Sequence, residues 1–459
     1  MKSHEKCVKL LSYGPCVALI GSLLIASPQG LAQNAKSSPS APLRLTVAPR
    51  TSSQIAMKTL PKAVCVLHGD ADSDPSHSFK LFSDDAGMIR FNVNPSEESD
   101  EVATFAVDCT SDGQSRAFGL QLRSNHSPSL DMPAPAAERR TPKASEVIRP
   151  ALTKAEALQI SDEELVKREY PVRPNPTQAP AAFASWLQVV TKPARRVDSR
   201  QVASAELRAS SQAYTDNWSG WDFKDAPNEE PNSIFDMVEG EWYVPTVTAP
   251  VSEGTTYSVL WVGLDGDDGI CPRYCPGNGP TSDLWQAGTL QQTRDIFLFG
   301  HRYTFSSYYA WTELLPTQGI QVLPNFTVLP GDEMFISVWV GNAGQSASLS
   351  GAYAIAFIED VTRGEYTYVY TPRGQVKILG YQAEWIMERP YENGALPDLS
   401  DYNYAYMYSP YAQLLNGDWI SYDQPNSQQL FMYGSTGDLL SGAYSFGPGT
   451  IYYKWYNFH

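Results

Sequence analysis

Beyond about residue 206 the chain reads as a series of short runs with period-two alternation, punctuated by Gly, Pro, Asn and Asp, and long amphipathic helical patterns are scarce. Residues 381–390 (YQAEWIMERP) set the type: Glu384, Ile386 and Glu388 fall on one face, Trp385 and Met387 on the other, and Arg389-Pro390 ends the run. Residues 258–266 (SVLWVGLDG) place Trp261, Gly263 and Asp265 opposite Val262 and Leu264. Residues 283–288 (DLWQAG) place Leu284 and Gln286 opposite Trp285, and residues 308–316 (YYAWTELLP) place Tyr309, Trp311 and Glu313 opposite Ala310, Thr312 and Leu314. Residues 241–245, 330–340 and 353–359 and the Tyr-rich tail from Asp401 continue the series. One face of these strands is apolar, and the other mixes aromatics with acids and amides. The pattern predicts an all-β domain over 206–459: two sheets packed through the apolar faces, with a polar, aromatic-lined groove on the free face of one.

The front of the chain reads differently. Residues 1–32 have the layout of a signal peptide: Lys2, Lys6 and Lys9, an apolar stretch over 16–26 too short to span a bilayer, and Gly30-Leu31-Ala32 as a cleavage site. The protein is therefore expected to be secreted, extracellular or periplasmic, with no membrane attachment once the signal is removed. Residues 42–124 form β-like runs such as LRLTV, AVCVL, MIRFNV and ATFAVDC, predicting a small N-terminal β domain. Residues 125–205 begin as a Pro/Ala-rich linker, continue through one or two short helices with Thr153 and Ser161 as N-caps, and include a further short helix in AAFASWLQVVTK.

Charge sharpens this division. Of a formal net charge of −16, residues from Arg200 onward carry about 11 Lys/Arg against about 29 Asp/Glu, while the first 199 residues are near neutral. An acidic body repels nucleic acid and suits work at low pH, where protonated carboxyls reduce self-repulsion. Eleven Lys and Arg between Arg139 and Arg196 lie just ahead of it. They fit either a solvated linker or a prosegment laid over an acidic cleft.

Export permits disulfides. Cys65 and Cys109, both in apolar β runs, are expected to pair; Cys271 and Cys275 are expected to tighten a loop, since one CxxxC with no nearby His is a poor metal site. Familiar hydrolytic centres are missing from the sequence. There is no GxSxG elbow, no HExxH, and no pair of Asp-Thr/Ser-Gly motifs; only His301 and His459 lie in the main domain. Glu384 and Glu388 share a face, but four residues of strand separate them by roughly 13 Å, too far for a glycosidase pair.

The ordered segments NWSG, LWVGLDG, LWQAG, YYAWTELLP, PGD and AEWIMERP resemble the eqolisin family of glutamic peptidases, over roughly residues 213–399. The resemblance implies an antiparallel β-sandwich of concanavalin A-like form and an acid endopeptidase that needs no cofactor or metal. Its dyad would be Gln286, matching the Gln of the family's Leu-Gln-Thr-Gly-like segment, and Glu388, matching the second acid of Ala-Glu-aromatic-Ile-X-Glu. Trp218, Trp261, Asp265, Trp311 and Glu313 match groove-lining positions. Glu388 would take a proton from the attacking water as a base of near-normal pKa, and Gln286 would hold that water and donate to the oxyanion.

Partners implied are protein or peptide substrates and the chain's own prosegment as an intramolecular inhibitor released in acid, with cleavage near residues 195–200; the enzyme is expected to be a monomer. Two departures stand out. Tyr309 replaces an acid of the family's segment before Trp311, and the TLQQ after Gly288 lacks an acid often found there. The alternative readings are a secreted lectin-like carbohydrate-binding module, for which a Trp/Tyr-lined sheet is a natural platform, and an inactive peptidase homologue.

Overall fold

The computed structural model describes residues 43–124 except 48, 51 and 70–78; residues 147–201 except 169, 172, 178–179 and 196–199; and residues 214–459 except 225–233, 251–253, 267–282, 342–352, 372–375, 377, 379, 393, 415–416, 424–426 and 447–448. The expected signal peptide over 1–32 and the Cys271–Cys275 pair lie outside the described residues.

Two antiparallel sheets make the sandwich. In the first, which carries the site, Ser427–Tyr433, Trp218–Lys224, Gln382–Glu388, Thr255–Leu264, Leu284–Leu298, His301–Leu315 and Gln318–Thr327 lie side by side. In the second the order is Trp419–Ser421, Tyr404–Leu414, Phe235–Tyr243, Glu333–Gly341, Tyr353–Asp360 and Glu365–Tyr370. Thr450–Trp455 and Leu439–Ser445 join the two along one edge.

The alternation decides which residues meet between the sheets. Leu260, Val262, Leu264, Trp285, Ala310, Leu314, Trp385 and Met387 of the first sheet pack on Val238, Trp242, Ile336, Val338, Ala356 and Ile358 of the second. Each large side chain so buried contributes roughly 1.5–3 kcal/mol. The indoles also need partners for their N–H groups: Trp385 Nε1 donates to Glu239 O at 2.9 Å and Trp285 Nε1 to Ile355 O at 3.1 Å, tying sheet to sheet.

The N-terminal strands do not stand apart. Leu284–Leu298 and His301–Leu315, 15 residues each, form a hairpin whose far end reaches into the N-terminal core. There Ile296, Tyr303 and Phe305 join Phe79, Phe91 and Phe105, with the Phe105 and Phe305 rings 5.0 Å apart and edge-on. Met88–Pro95 pairs with Ser53–Lys58 on one side and with residues 303–306 on the other, so a main-chain ladder runs from one region into the next. Cys65 and Cys109, cross-strand neighbours, form the expected disulfide.

Three helices follow: Lys154–Gln159, Asp162–Lys167 and Pro180–Val190. Thr153 and Glu156 form a reciprocal capping box, and Ser161 Oγ accepts from Glu164 N at 3.2 Å. Trp186, fully buried, centres a small core with Leu152, Ala157, Leu165 and Val190. The last helix lies on the outer face of the second sheet, where Val189 meets Trp339, Phe357 and Tyr368, and Gln188 and Lys192 both reach Glu359. The described helical part of the basic region thus sits behind the sandwich, away from the face that carries Gln286 and Glu388. Apolar helix positions seeking an apolar sheet face outweigh attraction between its cations and the site's acids.

Candidate active site

The free face of the first sheet is a grid set by strand register. One row across five strands reads Trp218, Glu388, Val259, Leu290, Tyr309. The next reads Gly220, Ile386, Trp261, Gly288, Trp311, and the third Asp222, Glu384, Gly263, Gln286, Glu313. Directly paired residues share a face, so Gln286 and Glu388 project to the same side. They are two strands and four residues apart, about 10 Å across and about 13 Å along. Trp261 stands on that diagonal, and the amide of Gln286 is bonded to Glu313, on the strand farther from Glu388.

Trp261 occupies the middle row between them. It is fully buried, its ring is edge-on to Trp218 at 5.2 Å, and its Nε1 donates to Glu388 Oε2 at 2.7 Å. Gly263 keeps the floor low beside Gln286: a Cβ there would lie 2.7 Å from Trp261 Cζ3 and 3.2 Å from Gln286 Cβ. Gln286, 1 % exposed, donates from Nε2 to Glu313 Oε2 at 2.6 Å, while its Oε1 has no hydrogen-bond partner among the described residues. The amide is therefore anchored by one N–H, with the second N–H and the carbonyl left for a reactant.

The electrostatics follow from burial. Desolvation pushes the Glu388 carboxyl up to about 7, against the pull of donors on Trp261, Trp218 and Asn217. The near-normal pKa expected from sequence does not hold in this environment, because the apolar surroundings of the first and second rows penalise the charge. Desolvation also raises Glu313 well above its ordinary value, and the charge of Glu388 adds to the rise. A neutral Glu313 beside Gln286 leaves Glu388 as the group that ionises first.

Asp265 does something different from lining a groove. Its carboxylate accepts from the backbone N–H groups of Gly380 (3.0 Å), Tyr381 (2.7 Å) and Gln382 (3.2 Å), at the start of the strand that ends in Glu388. It sits in the left-handed region at φ 61°, where Asp is one of the few tolerated side chains. Trp311 is fully buried in the middle row. Sequence reasoning did not single out Gly263, nor did it place Glu384, fully buried, in the row of Gln286 with only that glycine between them. The first acid of AEWIME was the available signal, but register across three strands was needed to use it.

The Peptidase A4 family model matches residues 216–443. Among solved structures, a scytalido-glutamic peptidase with a peptide-based transition state analog is 19 % identical at a TM-score of 0.38, over 52 % of this chain and 98 % of that one. SCP-B, described as a member of the eqolisin family in complex with the tripeptide Ala-Ile-His, is 17 % identical at a TM-score of 0.35 with the same coverage. No curated protein sequence matches the chain.

Proposed function

We propose, for a chain that belongs through residues 216–443 to the Peptidase A4 family of glutamic endopeptidases, that Gln286 and Glu388 are the dyad that hydrolyses the peptide bond. One observation carries this reading: both side chains lie on one face, on a diagonal with Trp261 between them and bonded to Glu388. In this reading the scissile carbonyl is held over Trp261, between the two side chains. Ionised Glu388 takes a proton from water as its oxygen bonds to the carbonyl carbon. The free N–H of Gln286 donates to the oxyanion as it forms, with Glu313 holding the amide in place. Protonated Glu388 then gives its proton to the nitrogen as the C–N bond breaks, which restores the carboxylate.

An acid optimum follows if the cleft is wetter with substrate entering than it is closed, because water around Glu388 removes the desolvation that raises it. Export by the N-terminal signal and synthesis as a zymogen belong to the same proposal. Arg200–Gln201, at the end of the expected maturation region, pairs with residues 321–322 at the edge of the site sheet, which supports this reading.

The test is digestion of casein or haemoglobin across the acid range by the exported protein. Gln286→Ala is expected to lower kcat/KM about 10²–10³-fold and Glu388→Gln about 10²–10⁴-fold, with unchanged circular dichroism and Tm. EDTA and pepstatin should not inhibit. A folded Glu388→Gln variant that still cuts at the wild-type rate removes this residue from the reaction.

A further inference from the structure

Tyr309, which stands where the resembled family carries an acid, and Leu290, in the TLQQ that lacks one, are direct cross-strand partners in the row that contains Glu388. Both are buried in a cluster that also holds Phe82 of the N-terminal region. Its ring is edge-on to Tyr309 at 5.5 Å, and its backbone N–H donates to Tyr309 Oη at 3.2 Å. The strand Phe79–Phe82 crosses the end of the site face at two further points. Gln292 Nε2 donates to Lys80 O at 2.6 Å, and Lys80 Nζ pairs with Glu392 at 3.0 Å, four residues beyond Glu388. The row beneath it, Tyr257, Gln292 and Ser307, is the next one past Glu388 on the same face.

We infer that the N-terminal β region is a fixed part of the peptidase, with Phe82 as the end wall of its substrate cleft on the Glu388 side. An acid at position 309 would be desolvated against the Phe82 ring, so Tyr309 and the wall belong together. From the Glu388 row to the covered row is about 7 Å, which holds one to two residues of extended peptide. On that side of the scissile bond, longer substrates have no further sheet surface to bind. This inference rests on the assignment of Glu388 and Gln286 to the reaction.

The experiment is a ladder of peptides sharing one scissile site and extended one residue at a time on either side, cleaved by wild type, Phe82→Ala and the milder Phe82→Leu. For wild type, kcat/KM should stop rising after one or two residues on one side and continue to rise on the other. In Phe82→Ala the first residue beyond the wild-type limit should raise the long-to-short ratio of kcat/KM roughly tenfold, the worth of a modest apolar contact, and less in Phe82→Leu. If Phe82→Ala does not fold, Phe82→Leu decides. A symmetric wild-type ladder, or folded variants that keep the wild-type ladder, overturns the wall. A wild-type protein that cleaves no member of the ladder overturns the dyad assignment, and the wall with it.

Discussion

Trp261→Phe tests the site's electrostatics more sharply than removal of the dyad itself. The substitution deletes one donor, the Nε1–H bonded to Glu388 Oε2 at 2.7 Å, while keeping an aromatic ring against Trp218. A hydrogen bond to a charged group is worth roughly 1.5–3 kcal/mol. That donor favours the ionised form, so its loss raises the carboxyl's pKa. At about 1.4 kcal/mol per pH unit the rise is about one to two units above the value that the hydrated cleft gives the wild-type carboxyl. The assay is kcat/KM against pH with a short peptide, together with Tm at each pH. The acid limb should move toward higher pH by at least about one unit, and at any pH on that limb the variant should be about 10- to 100-fold slower. Lost packing alone would lower the plateau and leave the limb where it was. A folded Trp261→Phe enzyme whose limb coincides with wild type refutes the reasoning, because a donor 2.7 Å from Glu388 would then have no hold on its charge.

Two further outcomes follow from the same geometry. Glu313→Gln should keep kcat/KM within about tenfold of wild type, because the carboxyl it replaces is neutral and Gln286 retains an acceptor, whereas Glu313→Ala should lose about 100-fold by freeing the amide; equal losses in both would mean that Glu313 acts through its charge. Stability should fall as pH rises. Asp236, with burial pushing it up to about 8, and Glu388, at about 7, hold protons that the unfolded chain releases near pH 4, so their contribution is complete below that range and is lost on the way to pH 8. Thermal melts should show a Tm lower at pH 8 than at pH 4.5 by about 5 °C or more, with a shallower slope in Asp236→Asn; a flat profile would contradict the raised proton affinity of these two acids.

How much of this was legible in the sequence depends on how far apart the interacting residues are. Period-two alternation is a local property, so the facing of Trp385 and Met387 into the core and of Glu384, Ile386 and Glu388 onto the free side could be read from seven residues. Register is not local. That Val259 has Glu388 on one side and Leu290 on the other is decided by three strands distant in sequence, and nothing in any of them announces it. For the same reason Tyr309 and the TLQQ segment read as two separate losses of charge until register makes Tyr309 and Leu290 direct partners.

The charge state of Glu388 is the least legible property of all. A carboxyl's sequence neighbours say little about what lies over it, and the expectation of an ordinary acid fails because rows assembled from five strands leave the carboxyl only partly hydrated. The placement of the helices has a similar cause. Their cations suggested the acidic cleft, but an ion pair at a surface is worth at most about 1 kcal/mol. Seating Val189 against Trp339, Phe357 and Tyr368 removes apolar area from water at about 25 cal/mol for each Å². The apolar contact wins that comparison, and it leaves the face with Gln286 and Glu388 to be closed at one end by the N-terminal strand.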